Sequence, residues 1–335
     1  MGRRPEVIVV TGASAGLGRA VVREFAREGA HIGLIARGEE RLETTRAEVE
    51  QLGGKGLVLP LDVADAGALE DAADRVEREL GSIDVWINNA MLSVYSPIRE
   101  MRAEEYERVT QVTYLGYVYG TLAALKRMLP RDRGIIIQIS SSLAYVSIPI
   151  QSAYCAGKHA VRGFTSSLRA ELIHDRSKIR VTMVQMPAIN TPQFDWSMNR
   201  MAHRPEPVPP IFQPEMCASA VRYAVRHDVG RELVVTWSAR KLILGGRFVP
   251  GYVERRVARE AYEDQESSEP ETPDRPHNLW GPVAGDWAAR GRFDLKASER
   301  SLALWLRMHR MWTALGGILL VLTIIGVAVW VGAGR

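Results

Sequence analysis

Short apolar runs recur through the first part of the chain, at Val7–Val10, Ile32–Ile35, Leu57–Leu59, Val85–Ile87, Ile135–Ile139, Val181–Val184 and Leu233–Val235. Between them, apolar residues return at helical spacing near 17–29, 39–52, 66–80, 103–129, 153–174 and 214–227. The runs are nearly continuous rather than alternating, as expected of strands buried on both faces. Strands separated by helices predict parallel pairing. The pattern therefore predicts an α/β fold, a doubly wound parallel sheet of the Rossmann type, occupying residues 1–260.

The pattern changes after residue 240. Residues 240–259 hold six basic residues (Arg240, Lys241, Arg247, Arg255, Arg256, Arg259) and one acid, with Leu242, Ile243, Leu244, Phe248 and Val249 among them. Two readings stand: a surface lying on anionic lipid, or a helix covering the domain. Residues 263–276 hold six acids and three prolines and read as a solvated part of a linker spanning 261–300. A helix near 298–310 is expected next, within a final unit at 301–335. There Met311 to Ala333 carry no charge. As a helix this run would span roughly 34 Å, against about 30 Å for a bilayer core. Trp312 and Trp330 sit near its ends, and Arg307, His309 and Arg310 precede it. The run predicts a single-pass transmembrane anchor with the catalytic body on the cytoplasmic side. The N-terminus shows neither a signal peptide nor a myristoylation pattern.

Composition narrows the field. A hydrophobic share of 46% and a charged share of 24% exclude a disordered or fibrous chain. Two cysteines, Cys155 and Cys217, exclude a disulfide framework and a thiolate zinc site, and the histidines show no metal spacing. A net charge of +4 gives no argument for nucleic acid.

The first strand runs into TGASAGLG (11–18), followed by a helix. Strand, glycine-rich turn and helix N-terminus make a site for a dinucleotide pyrophosphate. Gly12, Gly16 and Gly18 permit close approach, with Ser14 and Leu17 in the same turn. The second strand ends Ala36-Arg37, with no acid to bind a ribose 2′-OH. Arg37 can pair with a 2′-phosphate, which favours NADP(H) over NAD(H); the alternative is a surface cation. Asp62 and Val63 close the third strand, with Asp62 either beside the adenine or in a helix N-cap region. Asn88 and Asn89 close the fourth, where their amides also serve backbone groups.

Tyr154 and Lys158, four residues apart, share one face of a predicted helix, and Ser141 follows the strand 135–139. Reduction of a carbonyl requires a donor that polarises the oxygen and an acid that delivers the proton. A free phenol titrates near about 10. A neighbouring ammonium and the positive nicotinamide of a bound cofactor are expected to lower that value. The three residues read as a catalytic set: Ser141 orients the oxygen, Tyr154 moves the proton and Lys158 tunes it. Cys155 reads as a packed side chain. Apolar residues within 193–213, Phe194 and Trp196 among them, fit either a greasy substrate or plain packing.

These motifs make residues 5–235 resemble the compact branch of the short-chain dehydrogenase/reductase family. The resemblance rests on TGASAGLG, Asp62, NNA (88–90), the serine of ISSS (139–142), YCAGK (154–158) and PAINTP (187–192). The family's serine lies thirteen residues before its tyrosine, which selects Ser141. The resemblance implies NAD(P)(H)-dependent interconversion of an alcohol and a carbonyl. It adds Asn89, Pro187 and Thr191 to the cofactor contacts. It also implies that helices near 103–129 and 153–174 pair between subunits, as a homodimer or homotetramer. Three positions depart from the family pattern: Met91 replaces a glycine, Thr113 a relay asparagine, and Ala188 the glycine after Pro187. The expected function is a membrane-tethered NADP(H)-dependent oxidoreductase acting on a small, lipophilic carbonyl or alcohol. The alternatives are a non-catalytic NADP(H)-binding sensor or scaffold at the membrane, and a dehydratase or epimerase on the same fold.

Overall fold

A computed structural model describes residues 4–309. Its central sheet has seven parallel strands: β1 (Val7–Thr11), β2 (His31–Ala36), β3 (Lys55–Pro60), β4 (Val85–Asn88), β5 (Ile135–Ser141), β6 (Arg180–Met186) and β7 (Glu232–Val234). Their order is β7-β6-β5-β4-β1-β2-β3. Strand β1 pairs with β2 on one side and β4 on the other, Val10 facing both Leu34 and Ile87. Winding therefore reverses beside β1. The crevice beyond the carboxyl ends of β1 and β4 is where such sheets bind ligands.

Side-chain alternation along β1 divides the core. Ile8 and Val10 face one cluster, which includes α1 (Gly16–Ala26), α2 (Glu39–Gln51) and α7 (Pro214–Arg226). Val7 and Val9 face the other, against α3 (Ala66–Glu79), α4 (Ala103–Thr110), α5 (Gly116–Met128) and α6 (Ser152–His174). Both faces of the sheet are covered, as the continuous apolar strands required.

One expected helix is broken. Between α4 and α5, residues Gln111–Leu115 form a π turn, with the Gly116 N–H donating to the Gln111 carbonyl. Such turns tend to occur at functional sites. This one carries Thr113.

The C-terminal third departs most from expectation. Helices α8 (Trp237–Phe248) and α9 (Pro250–Glu260) form a hairpin after β7. The segment read as a free linker is instead folded onto the body. Strand β8 (Glu266–Pro270) pairs antiparallel with residues 203–205, and its acids have partners: Glu266 meets His203 and Glu269 meets Arg204. Farther on, Leu279, Ala289 and Phe293 are buried. Acid- and proline-rich composition identifies chain unable to form its own core. It does not show that a neighbouring surface will supply one. The short helix α10 (Leu302–Met308) also packs on the body. Its cap Ser301 donates to the Val235 carbonyl at 2.8 Å, and Leu304 is buried.

Among the described residues no helix is long and apolar enough to cross a membrane. The expected span at 311–333 lies outside them.

The folded-back segment has a measurable consequence. Truncating a fully buried leucine costs about 2–5 kcal/mol, so Leu279→Ala is expected to destabilise the protein by that amount in urea unfolding. A free linker would leave the midpoint unchanged.

Candidate active site

All but one of the site residues expected from sequence line a single cavity of about 760 Å³ at the carboxyl end of the sheet. Gly12, Ser14, Gly16, Leu17, Arg37, Asp62, Val63, Asn89, Ser141, Tyr154, Lys158, Pro187 and Thr191 all contribute to its wall. Gly18 lies beneath it as a packing residue, because a Cβ there would land on the Gly12 carbonyl.

The glycine turn is built for close approach. Gly12 (φ 68°) and Gly16 (φ 57°) are both left-handed, and an added Cβ would press on Asn89 and Thr191 respectively. Ala15 caps α1 without a side-chain hydrogen bond, so no side chain competes for the first-turn N–H groups. Asn89 holds the turn: its amide donates to the Thr11 carbonyl at 2.9 Å, while Thr11 Oγ1 accepts from the N–H groups of Asn89 and Ala90. Asn88 faces the interior, accepting from Trp86 Nε1 and donating to Gln138 and Thr121.

Beside the turn, Arg37 is not a free surface cation. It donates to the backbone carbonyls of Asn278 at 2.5 Å and Leu279 at 3.4 Å. Burial pushes its pKa down. The same Leu279 carbonyl accepts from Arg108, which is also ion-paired with Asp62. Asp62 accepts from the Ala64 N–H, whereas the cap of α3 is Asp65. The Ala288 carbonyl accepts from the Gly16 N–H, and Asp286 pairs with Arg19. Residues 278–288 thus border the dinucleotide side of the cavity from Arg37 to Gly16. Nothing in their composition pointed to this, since backbone carbonyls carry no sequence signal.

At the other end, α6 carries Tyr154 and Lys158 on one face, as their spacing required. Lys158 is 1% exposed. Its ammonium donates to the Ile139 carbonyl at 2.8 Å and the Tyr117 hydroxyl at 3.0 Å, and lies 5.6 Å from the Tyr154 ring centre. Tyr117 also donates to Ile139, which makes it part of the lysine's support. No motif singles it out. Ser141 ends β5 and accepts from the Leu143 N–H at 3.1 Å, leaving its own hydrogen to donate.

The charge balance differs from the sequence expectation. Burial raises the Tyr154 pKa, opposed in part by Ser141. Burial also lowers Lys158 to about 7. Desolvation penalises both charged forms, and with no carboxylate beside it Lys158 gains nothing in return. The phenol is therefore held neutral at physiological pH rather than acidified.

Two further side chains are committed elsewhere. The Thr113 hydroxyl accepts from the Leu92 N–H and donates its only hydrogen to the Leu92 carbonyl. Cys155 is buried, and burial raises its thiol pKa. In the 193–213 loop, Phe194 packs edge-on to Phe293, and Trp196 edge-on to Trp287. Among the described residues no cluster is suited to a metal ion.

Comparison with known proteins agrees with this geometry. The profile of the family described as short chain dehydrogenase matches residues 6–201. The chain is 27% identical over 309 residues to the uncharacterized oxidoreductase YxnA of Bacillus subtilis, covering 89% of this chain and 86% of that protein. It is 33% identical over 222 residues to a fatty acyl-CoA reductase of Acinetobacter baylyi, covering 66% and 72%. Among solved structures, an alcohol dehydrogenase from Thermococcus sibiricus complexed with 5-hydroxy-NADP superposes with a TM-score of 0.60 at 27% identity, over 69% of this chain and 96% of that one. With its parallel sheet, glycine turn and serine, tyrosine and lysine on one cavity, the chain belongs to the short-chain dehydrogenase/reductase family of oxidoreductases.

Proposed function

We propose that the protein is a membrane-tethered, NADP(H)-dependent reductase or dehydrogenase that interconverts a carbonyl and an alcohol on a lipophilic substrate. The observation that carries the chemistry is the Lys158 ammonium, seated on Ile139 and Tyr117 beside Tyr154 in the cavity that the glycine turn opens. The residues fit a dinucleotide: left-handed glycines at the turn, a helix start without a side-chain cap, and Arg37 at the end of β2. A bound nicotinamide cofactor would supply or accept the hydride.

The chain's own residues handle the oxygen and its proton. Ser141, with its acceptor side occupied by Leu143, donates to the substrate oxygen. Tyr154 is neutral at physiological pH and gives its proton in the reductive direction. Lys158 stands behind Tyr154 and stabilises the phenolate that remains. In the oxidative direction the phenolate must form first, so a charged Lys158 matters more there.

The NADP(H) preference rests on Arg37, which follows β2 in the cavity wall; the carbonyls of residues 278 and 279 hold its guanidinium, and its remaining N–H groups can pair with a 2′-phosphate. The lipophilic substrate rests on apolar cavity residues such as Leu92, Phe194, Leu242 and Val253, and accords with the acyl-CoA reductase among the relatives. The tether rests on the charge-free run at 311–333. A homodimer through α5 and α6 accords with the exposed Leu122 and Ile173 on those helices.

Three experiments test this reading. Tyr154→Phe is expected to lower kcat/KM for NADPH-dependent reduction of a long-chain carbonyl by about 10²–10⁴-fold, the range for a lost general acid; undiminished turnover would remove Tyr154 from the chemistry. Arg37→Ala is expected to weaken NADPH use by about 10–100-fold, the worth of a charge-assisted contact, and to leave NADH use nearly unchanged. Equal losses with both cofactors would contradict the 2′-phosphate assignment. The third is a pH series. The unfolded Lys158 titrates at its ordinary value and the folded one at about 7. Between these values the unfolded chain binds the extra proton, so stability rises with pH. Below the folded value both states are charged and the full burial penalty applies. The urea midpoint of the wild type should therefore rise relative to Lys158→Met between about pH 7 and pH 9; parallel curves would show that the buried lysine titrates normally.

A further inference from the structure

Helices α8 and α9 leave an exposed surface whose chemistry is unlike the rest of the molecule. On their inner sides Leu242, Val253 and Val257 line the cavity, with the Arg256–Glu260 pair beside them. Close packing within the hairpin is possible because Gly245 faces Val253 and Gly246 faces Val146, where a Cβ would collide. Their outer sides carry large apolar groups in water. Phe248 is 73% exposed, Tyr252 63% and Val249 51%, with Leu244 and Trp237 also exposed.

Cations surround these groups. Arg240, Lys241, Arg247, Arg255 and Arg259 are exposed and have no carboxylate within salt-bridge distance among the described residues; in this stretch only Arg256 is paired, with Glu260. Several arginines of the body, by contrast, are matched to acids: Arg19 with Glu48 and Asp286, Arg226 with Glu6 and Glu28. Two of the unpaired cations lie over exposed rings, Arg240 at 5.2 Å from Trp237 and Arg247 at 5.8 Å from Phe248. The apolar exposure continues onto α10, which starts beside the cap of α8 through the Ser301–Val235 hydrogen bond and exposes Leu302 and Trp305.

Protruding aromatic and aliphatic groups ringed by uncompensated arginine and lysine suit the boundary between lipid headgroups and acyl chains. The charge is complementary to an anionic leaflet. We propose that the α8–α9 hairpin docks on an anionic lipid surface. Phe248, Val249 and Tyr252 enter the boundary region, and Arg240, Lys241, Arg247, Arg255 and Arg259 meet lipid phosphates and carboxylates. The hairpin also walls the substrate cavity, with Val249 and Tyr252 at its lip. Docking therefore turns the cavity mouth toward the bilayer, and a lipophilic carbonyl enters without crossing water. This inference deepens the membrane-bound reading above and rests on it.

The test uses the full chain with a nitroxide at Phe248→Cys, which is exposed and outside the cavity wall; the native cysteines are buried. A second label at Lys55→Cys, on the opposite edge strand of the sheet, is the reference. The protein is bound to vesicles of phosphatidylcholine containing phosphatidylserine, and power saturation compares access of oxygen with that of a water-soluble nickel chelate. The label at 248 is expected to favour oxygen and the label at 55 to favour nickel. The charge reversals Arg240→Glu, Arg247→Glu and Arg255→Glu together should return position 248 to water while the protein still floats with the vesicles. Wild-type protein that floats with position 248 in water would overturn the docking surface and leave the tether standing. Dipolar broadening between labels at 248 would show a second copy on this face, and would overturn the lipid assignment. Failure to float at all would remove the tether and the docking surface together.

Discussion

An ammonium buried without a carboxylate is the constraint on which the rest of this site depends. Lys158 is held by the Ile139 carbonyl and the Tyr117 hydroxyl, both neutral acceptors. Hydrogen bonds to neutral groups offset only part of the cost of desolvating a charge, which is why its pKa falls to about 7. A carboxylate in place of Tyr117 would fix the lysine as a permanent cation. The phenol beside it experiences the same desolvation in the opposite sense. Sheet, turn and helix serve to hold these two groups, with Ser141, in one cavity with the glycine turn.

Much of this was legible in the sequence because it follows from periodicity. Each expected strand appears in the central sheet, and the glycine turn falls between β1 and α1. The four-residue spacing of Tyr154 and Lys158 put them on one side of α6. What sequence did not reveal depends on contacts between distant segments. Thr113 reads as a substitute for a relay group, yet its only hydrogen is spent on the Leu92 carbonyl beside the π turn. Tyr117 has no motif and matters only because α5 brings it to Lys158. The acidic, proline-rich stretch after residue 260 looked solvated because it cannot form a core alone. With the residues that follow it, it is held on the body, where Arg204, Arg37 and Arg19 supply partners.

That C-terminal segment changes how the cofactor side of the cavity is understood. In the first 240 residues the site has the family's parts. The following residues add two borders: carbonyls at 278 and 279 that accept from Arg37, and the hairpin of α8 and α9 that lines the other part of the cavity. Under the proposed function, one border bears on which cofactor is chosen and the other on how substrate arrives. Both lie beyond the residues matched by the family profile, which end at 201. Differences among relatives in cofactor and substrate therefore need not leave any trace in the shared motifs.

The most direct test of the central claim is a crystal structure of the protein with NADP+ and a long-chain alcohol bound. The account requires the alcohol oxygen to lie within hydrogen-bond distance of both Tyr154 Oη and Ser141 Oγ, with Lys158 Nζ still on the near side of the tyrosine. An alcohol oxygen held by other groups, with the Tyr154 hydroxyl turned away from it, would contradict the account.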